Sequence, residues 1–97
     1  MEEKIKLTLY VAGSTSQSER AIANIHRIVA DLLTDNCEIN IVDVLESPQT
    51  AERANVMATP TLIRELPTPE RRAIGDLSDT KEVLKSLNLT NISKKRR

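Results

Sequence analysis

The residues that could do chemistry are few. Ser14-Thr15-Ser16-Gln17 stands where a first helix begins, the place at which a low-pKa cysteine would be needed for thiol–disulfide exchange. With hydroxyls there instead, a dithiol oxidoreductase is excluded by residue type. Ser14 or Ser16 could still hold a thiol ligand such as glutathione; the competing reading is that these hydroxyls merely cap the helix. Cys37 is the only cysteine. It allows no intramolecular disulfide, sits at the entrance of a later apolar run, and reads as packing. His26 is the only histidine. A catalytic or switching role needs a neighbouring nucleophile that the spacing does not supply, so a half-buried structural imidazole is expected. One cysteine and one histidine make no metal cluster, and no cofactor is expected. The last such residue is Pro60, at the mouth of the apolar run Val56-Met57-Ala58-Thr59-Pro60-Thr61-Leu62-Ile63. It cannot donate to a sheet and must open a strand or occupy a turn. A cis Thr59–Pro60 bond is expected, leaving backbone groups beside a cleft.

The chain has 97 residues, enough for one core and not two, so residues 1–93 are read as a single domain. The apolar content is Ile, Leu, Val and Ala with one Tyr and no Phe or Trp, a core without large aromatic anchors. Formal net charge is zero, but Lys94, Lys95, Arg96 and Arg97 carry four positive charges, so residues 1–93 bear a net −4. Nucleic-acid binding needs a basic face on the folded body, and this body is mildly acidic. The basic residues 94–97 read as a disordered tail. No signal-peptide pattern opens the sequence and no apolar run approaches the length of a membrane span. A cytoplasmic protein with no membrane partner is therefore expected.

The elements that must position these residues follow from periodicity. Ile5, Leu7, Leu9 and Val11 alternate with polar neighbours, giving a strand with one strongly apolar face. Ala12 and Gly13 lead into a loop, and Ser16 with Glu19 has capping-box spacing. Ala21, Ile22, Ile25, Ile28, Val29, Leu32 and Leu33 form a helical stripe, with Arg20, Asn24, Arg27 and Asp31 on the opposite face, turned to solvent or a partner. After Thr34-Asp35-Asn36 a second strand spans 37–44, reached by a right-handed parallel crossover. Ser47-Pro48 opens a short helix through Ala51, Glu52 and Arg53 to Asn55. The third strand covers 61–66, Leu66-Pro67-Thr68-Pro69 turns, and a fourth strand at 71–75 returns antiparallel. A final amphipathic helix at 78–87 follows, with fraying from Asn88 onward. The order βαβαββα, with a proline before the third strand, makes an α/β fold of thioredoxin-like class.

Four motifs in register carry a more specific resemblance. They are Leu9-Tyr10-Val11-Ala12-Gly13 with Ser18 and Arg20; Val42-Asp43-Val44-Leu45 before Pro48-Gln49; Ala58-Thr59-Pro60-Thr61-Leu62; and Arg71-Arg72 followed by Ile74-Gly75-Asp76-Leu77-Ser78. Over residues 7–87 the chain resembles the KaiB family of circadian-clock proteins and the KaiB-like sensor domain of their partner histidine kinase. The resemblance implies a non-enzymatic adaptor that binds the N-terminal ATPase ring of a KaiC-like protein, competes with the sensor kinase and sequesters KaiA. The alternative from another class is a glutathione-dependent enzyme using Ser14 or Ser16. The resemblance also implies two folds of one sequence: a thioredoxin-like binding-competent monomer, and a homotetrameric ground state repacked as βαββααβ.

Carried over by position, Arg20, Arg71 and Arg72 match the family's charged partner-contacting residues, and Ala51 and Glu52 match part of its KaiC-facing helix. Asn40 and Asn55 stand where relatives often have lysine. Ser86 and Asn88 replace a common glycine and aspartate, and residues 94–97 replace an acidic tail. Both replacements favour a terminal helix and hence the thioredoxin-like form.

Overall fold

The computed structural model describes residues 4–32 and 36–90. Leu33, Thr34 and Asp35 and the basic stretch 94–97 lie outside the described residues. The elements run β1 (Ile5–Val11), α1 (Ser16–Ala30), β2 (Cys37–Asp43), α2 (Pro48–Arg53), β3 (Thr61–Leu66), β4 (Arg71–Ile74) and α3 (Thr80–Ser86), the order expected from the sequence. They form a four-stranded sheet in the order β2-β1-β3-β4. β1 pairs parallel with β2, placing Ile5 opposite Cys37 and Val11 opposite Asp43. It pairs antiparallel with β3, with Tyr10 opposite Thr61, and β4 runs antiparallel to β3.

β1 is apolar on more than the one face its alternation announced. Ile5, Leu7, Leu9 and Val11 join Ala21, Ile25 and Ile28 of α1, Val83 and Leu84 of α3, and Leu62 and Leu87 in the main core. Tyr10 faces the other way into a second cluster with Ala51 and Ile63, and Thr8 is buried beside it. The sheet is thus covered by α1 and α3 on one side and by α2 over part of the other. The α1 stripe is narrower than its apolar letters suggested: Ala21, Ile25 and Ile28 are fully inside, Ile22 and Val29 pack at the margin, and His26 is exposed rather than half-buried.

The helix ends differ from the sequence reading in informative ways. The N-cap of α1 is Thr15, whose hydroxyl accepts from the Ser18 amide at 3.1 Å and donates to the Ser18 hydroxyl at 3.0 Å. The expected Ser16–Glu19 box does not form: the cap falls one residue earlier, and Ser18, three residues after it, is buried ahead of Ala21. At α2, Ser47 occupies the cap and Pro48 the first turn, but the serine side chain makes no capping bond. α3 starts at Thr80 and not 78. The Asp76 carboxylate accepts from the Ser78 amide, Leu77 takes φ +65°, and only then does Asp79 cap the Glu82 amide at 3.2 Å.

The far end of α3 is closed where fraying was expected. The Leu89 amide reaches the Leu84 carbonyl at 2.7 Å and the Asn88 amide the Lys85 carbonyl at 3.1 Å, with Asn88 at φ +58°. This is the Schellman geometry, with asparagine in the left-handed position and an apolar contact between the residues it brackets. Leu84 and Leu89 are both buried in the main core.

Candidate functional site

β1 and β2 end side by side, β3 begins beside the end of β1, and β4 ends beside the start of β3, so four loops gather at one end of the sheet. Asp43 joins two of them. Its carboxylate accepts from the Gly13 amide at 3.1 Å and the Leu45 amide at 2.9 Å. Gly13 needs its φ of +69°, and a Cβ there would stand 3.3 Å from Leu45. Ser14 and Ser16 are exposed in this loop cluster, while the hydroxyl between them, that of Thr15, is committed to the helix cap. Pro60 is buried at the start of β3, its preceding bond is cis, and its carbonyl accepts from the Gly75 amide at 2.9 Å. Cys37 lies at the opposite end of the sheet, opposite Ile5, packed against the main core. Burial pushes its thiol pKa up, the wrong direction for a nucleophile. No group of three or more His, Cys, Asp or Glu among the described residues could hold a metal ion, and no described helix is long and apolar enough to cross a membrane.

The residues singled out from sequence fall into three places. The first is the end of α2 facing β4. Here Arg72 donates to the carbonyls of Ala54 and Asn55, the latter at 3.0 Å, and pairs with Glu70 at 3.2 Å. Asn55 is exposed at φ +56°, just past the helix, and Glu52 and Arg71 are exposed. Ala51 is only 8% exposed and packs beneath the helix on Tyr10 and Ile63, so its side chain supports the surface instead of forming it. The second place is the polar face of α1, which meets the chain's own β4–α3 loop. Arg20 pairs with Asp76 at 3.2 Å, Asn24 donates to the Asp76 carbonyl at 2.8 Å, and Arg27 donates to Thr80 at 3.2 Å. Hydrogen bonds from Ser78, and then Arg20, hold the Asp76 carboxyl below the usual aspartate range. The third is the end of α3, where Ser86 is half-buried in the last turn and Asn88 is exposed beyond it.

Sequence reasoning missed three exposed apolar residues at the loop-bearing end of the molecule. Leu45 is 71%, Met57 91% and Ile74 70% exposed. Leu45 follows the end of β2, Met57 stands four residues before β3, and Ile74 pairs with Thr61 in the register, so all three belong to the loop-bearing end of the sheet. In the sequence each stands within a motif or an apolar run, and only the folded structure shows that all three remain in water.

Comparison with known proteins bears on most of the chain. The KaiB domain model matches residues 8–89. The chain belongs to the KaiB family. A curated relative, the circadian clock protein KaiB3 of Synechocystis, is 49% identical over 86 residues, covering 89% of this chain and 84% of that relative. The circadian clock oscillator protein KaiB of Prochlorococcus marinus MIT 9211 is 47% identical over 83 residues, covering 86% of this chain and 73% of its own length. Among solved structures, the N-terminal domain of Synechococcus elongatus SasA superposes with TM-score 0.72 at 21% identity, over 91% of this chain and 87% of that one. Yeast mitochondrial thioredoxin 3 gives 0.70 at 16% identity, over 90% and 79%. These two show the fold, which is thioredoxin-like. The KaiB motifs quoted from the sequence therefore sit on a thioredoxin-like scaffold whose first-helix loop carries serine and threonine.

Proposed function

We propose that this KaiB-family protein is a non-enzymatic clock adaptor: it binds the N-terminal ATPase ring of a KaiC-like protein, competes there with a KaiB-like sensor kinase, and sequesters KaiA where one is present. The observation that carries this reading is the exposure of Leu45, Met57 and Ile74, spread along the loop-bearing end of the sheet from the β2 edge to the β4 edge. Large apolar side chains left in water at the same end of the molecule as exposed Glu52 and Arg71 have the composition of a protein-binding surface, apolar groups mixed with charge. Arg71 and Glu52 act at the rim, where charge governs association rate and salt dependence. Arg72 and Ala51 act from behind by fixing α2, and Arg20 forms a separate contact on the α1 side.

The binding form is the thioredoxin-like monomer, in exchange with a homotetramer whose C-terminal half is repacked, with Ser86 and Asn88 biasing the choice toward the monomer. The test is co-purification of the full chain with a KaiC-like ATPase, with Leu45→Ser and Met57→Ser in parallel. Binding lost in both variants while the fold is kept supports the reading. Glutathione turnover with a reporter electrophile that Ser14→Ala abolishes would sink the adaptor reading.

A further inference from the structure

Arg64 occupies a core-facing position in β3. It is 4% exposed, two residues from fully buried Leu62 on the same face of the strand. A buried guanidinium needs hydrogen-bond partners, because removing the charge from water is costly. Here Nη1 donates to the Leu87 carbonyl at 2.8 Å and Nη2 to the Pro69 carbonyl at 2.7 Å. Leu87 is the C-cap of α3, and its carbonyl is one of those a helix end leaves without a partner inside the helix. Pro69 lies in the turn between β3 and β4. One side chain therefore ties the helix end to the hairpin turn, with the sign of charge that a helix C-terminus attracts. The three amides around this point, those of Leu87, Asn88 and Leu89, are bonded back to Val83, Lys85 and Leu84.

We propose that Arg64 is a positioning residue, a latch that joins α3 and the β3–β4 turn into one cooperative unit, so that releasing it frees residues 87–89 before the rest of the sheet. The fork geometry of arginine is what allows this. Two donors in one plane reach carbonyls on two elements, whereas an ammonium has a single nitrogen to share between them. Nothing in the latch depends on the adaptor reading. If, as proposed above, the C-terminal half also adopts a second packing, that repacking must break these two bonds.

Amide hydrogen exchange on the full chain tests the latch, comparing the natural protein with Arg64→Met, which keeps the apolar stem, and Arg64→Lys, which keeps the charge. The amides of Leu87, Asn88 and Leu89 should exchange about tenfold or more faster in Arg64→Met, while those of Leu7 and Leu9 in β1 change by less than about twofold. Arg64→Lys should fall between. Unchanged protection at 87–89, or equal acceleration at Leu9 and Leu89, overturns the proposal, the second outcome marking a general core defect. If Arg64→Met does not fold, Arg64→Lys decides by the same criterion. Size-exclusion chromatography of the same variants separates the two readings: faster local exchange with no change in assembly keeps the latch and removes its link to refolding.

Discussion

Reversing the charge at Arg72 would put a carboxylate against two backbone carbonyls and Glu70. The sequence alone suggests an exposed arginine whose loss slows partner binding and leaves the fold intact; the contacts with Ala54 and Asn55 change that expectation. Arg72→Glu should lower stability to urea by about 1–2 kcal/mol, discounted below the usual range for charged hydrogen bonds because 32% of the side chain remains in water. A midpoint unchanged in Arg72→Glu would mean that the α2 contact contributes nothing. Arg20 is the cleaner probe of a partner contact on the α1 side, since its side chain is 57% exposed and its partner is a loop aspartate. Arg20→Glu should slow association with a KaiC-like partner most at low salt, read by stopped flow; equal rates at all salt concentrations would place the contact elsewhere.

Asp76 gives the same site a pH dependence. Its pKa is depressed in the folded state, so its stabilising contribution is fully present above the ordinary aspartate value and is lost as pH falls through the depressed one. In an NMR carboxyl titration, Arg20→Gln should move Asp76 upward without restoring the ordinary value, because Ser78 supplies the larger part of the shift.

At the scale of elements, α3 depends on how it ends. Asn88 takes a left-handed conformation that asparagine and glycine adopt most readily. Asn88→Ala should cost about 1 kcal/mol in a denaturation midpoint, while Asn88→Gly should be close to neutral. Ser86→Gly removes about 0.5 kcal/mol of helix preference, and Asn88→Asp adds a carboxylate at the negative end of the helix at a cost of about 0.3–1 kcal/mol. The strands and helices themselves were legible, because Leu7, Leu9 and Val11 repeat at two and Ala21, Ile25 and Ile28 at three and four. Their ends were not. The spacing of Ser16 and Glu19 points to a cap at Ser16, whereas the cap is Thr15, whose hydroxyl accepts from the Ser18 amide. Leu89 looks like the start of a frayed tail until its amide is seen bonded to Leu84. Arg64 was readable in principle as a charge spaced two residues from Leu62, but its partners lie on elements 5 and 23 residues away. The polar face of α1 was visible as a pattern, whereas its occupant, the loop at Asp76, comes from more than 50 residues later.

For the molecule as a whole, the dilute chain should elute as a monomer, with helical NMR shifts at 80–86. Assembly into a tetramer should be confined to high concentration by mass action. A tetramer with extended shifts in that segment at every concentration tested refutes the proposed balance. The sheet order has one more consequence, for synthesis. β1 is central in the finished sheet, yet one of its neighbours, β3, ends 55 residues after it in the chain, at Leu66 against Val11. At roughly 5–20 residues per second, the ribosome leaves β1 with one flank unpaired for about 3–11 seconds after Val11 is made. During that interval Leu7 and Leu9 belong to a nascent edge strand, the kind of surface to which chaperones and stray strands attach. A stalled chain should therefore be more easily cut by protease when arrested before Thr61 emerges than when arrested after Leu66, and the difference would time the closing of the sheet.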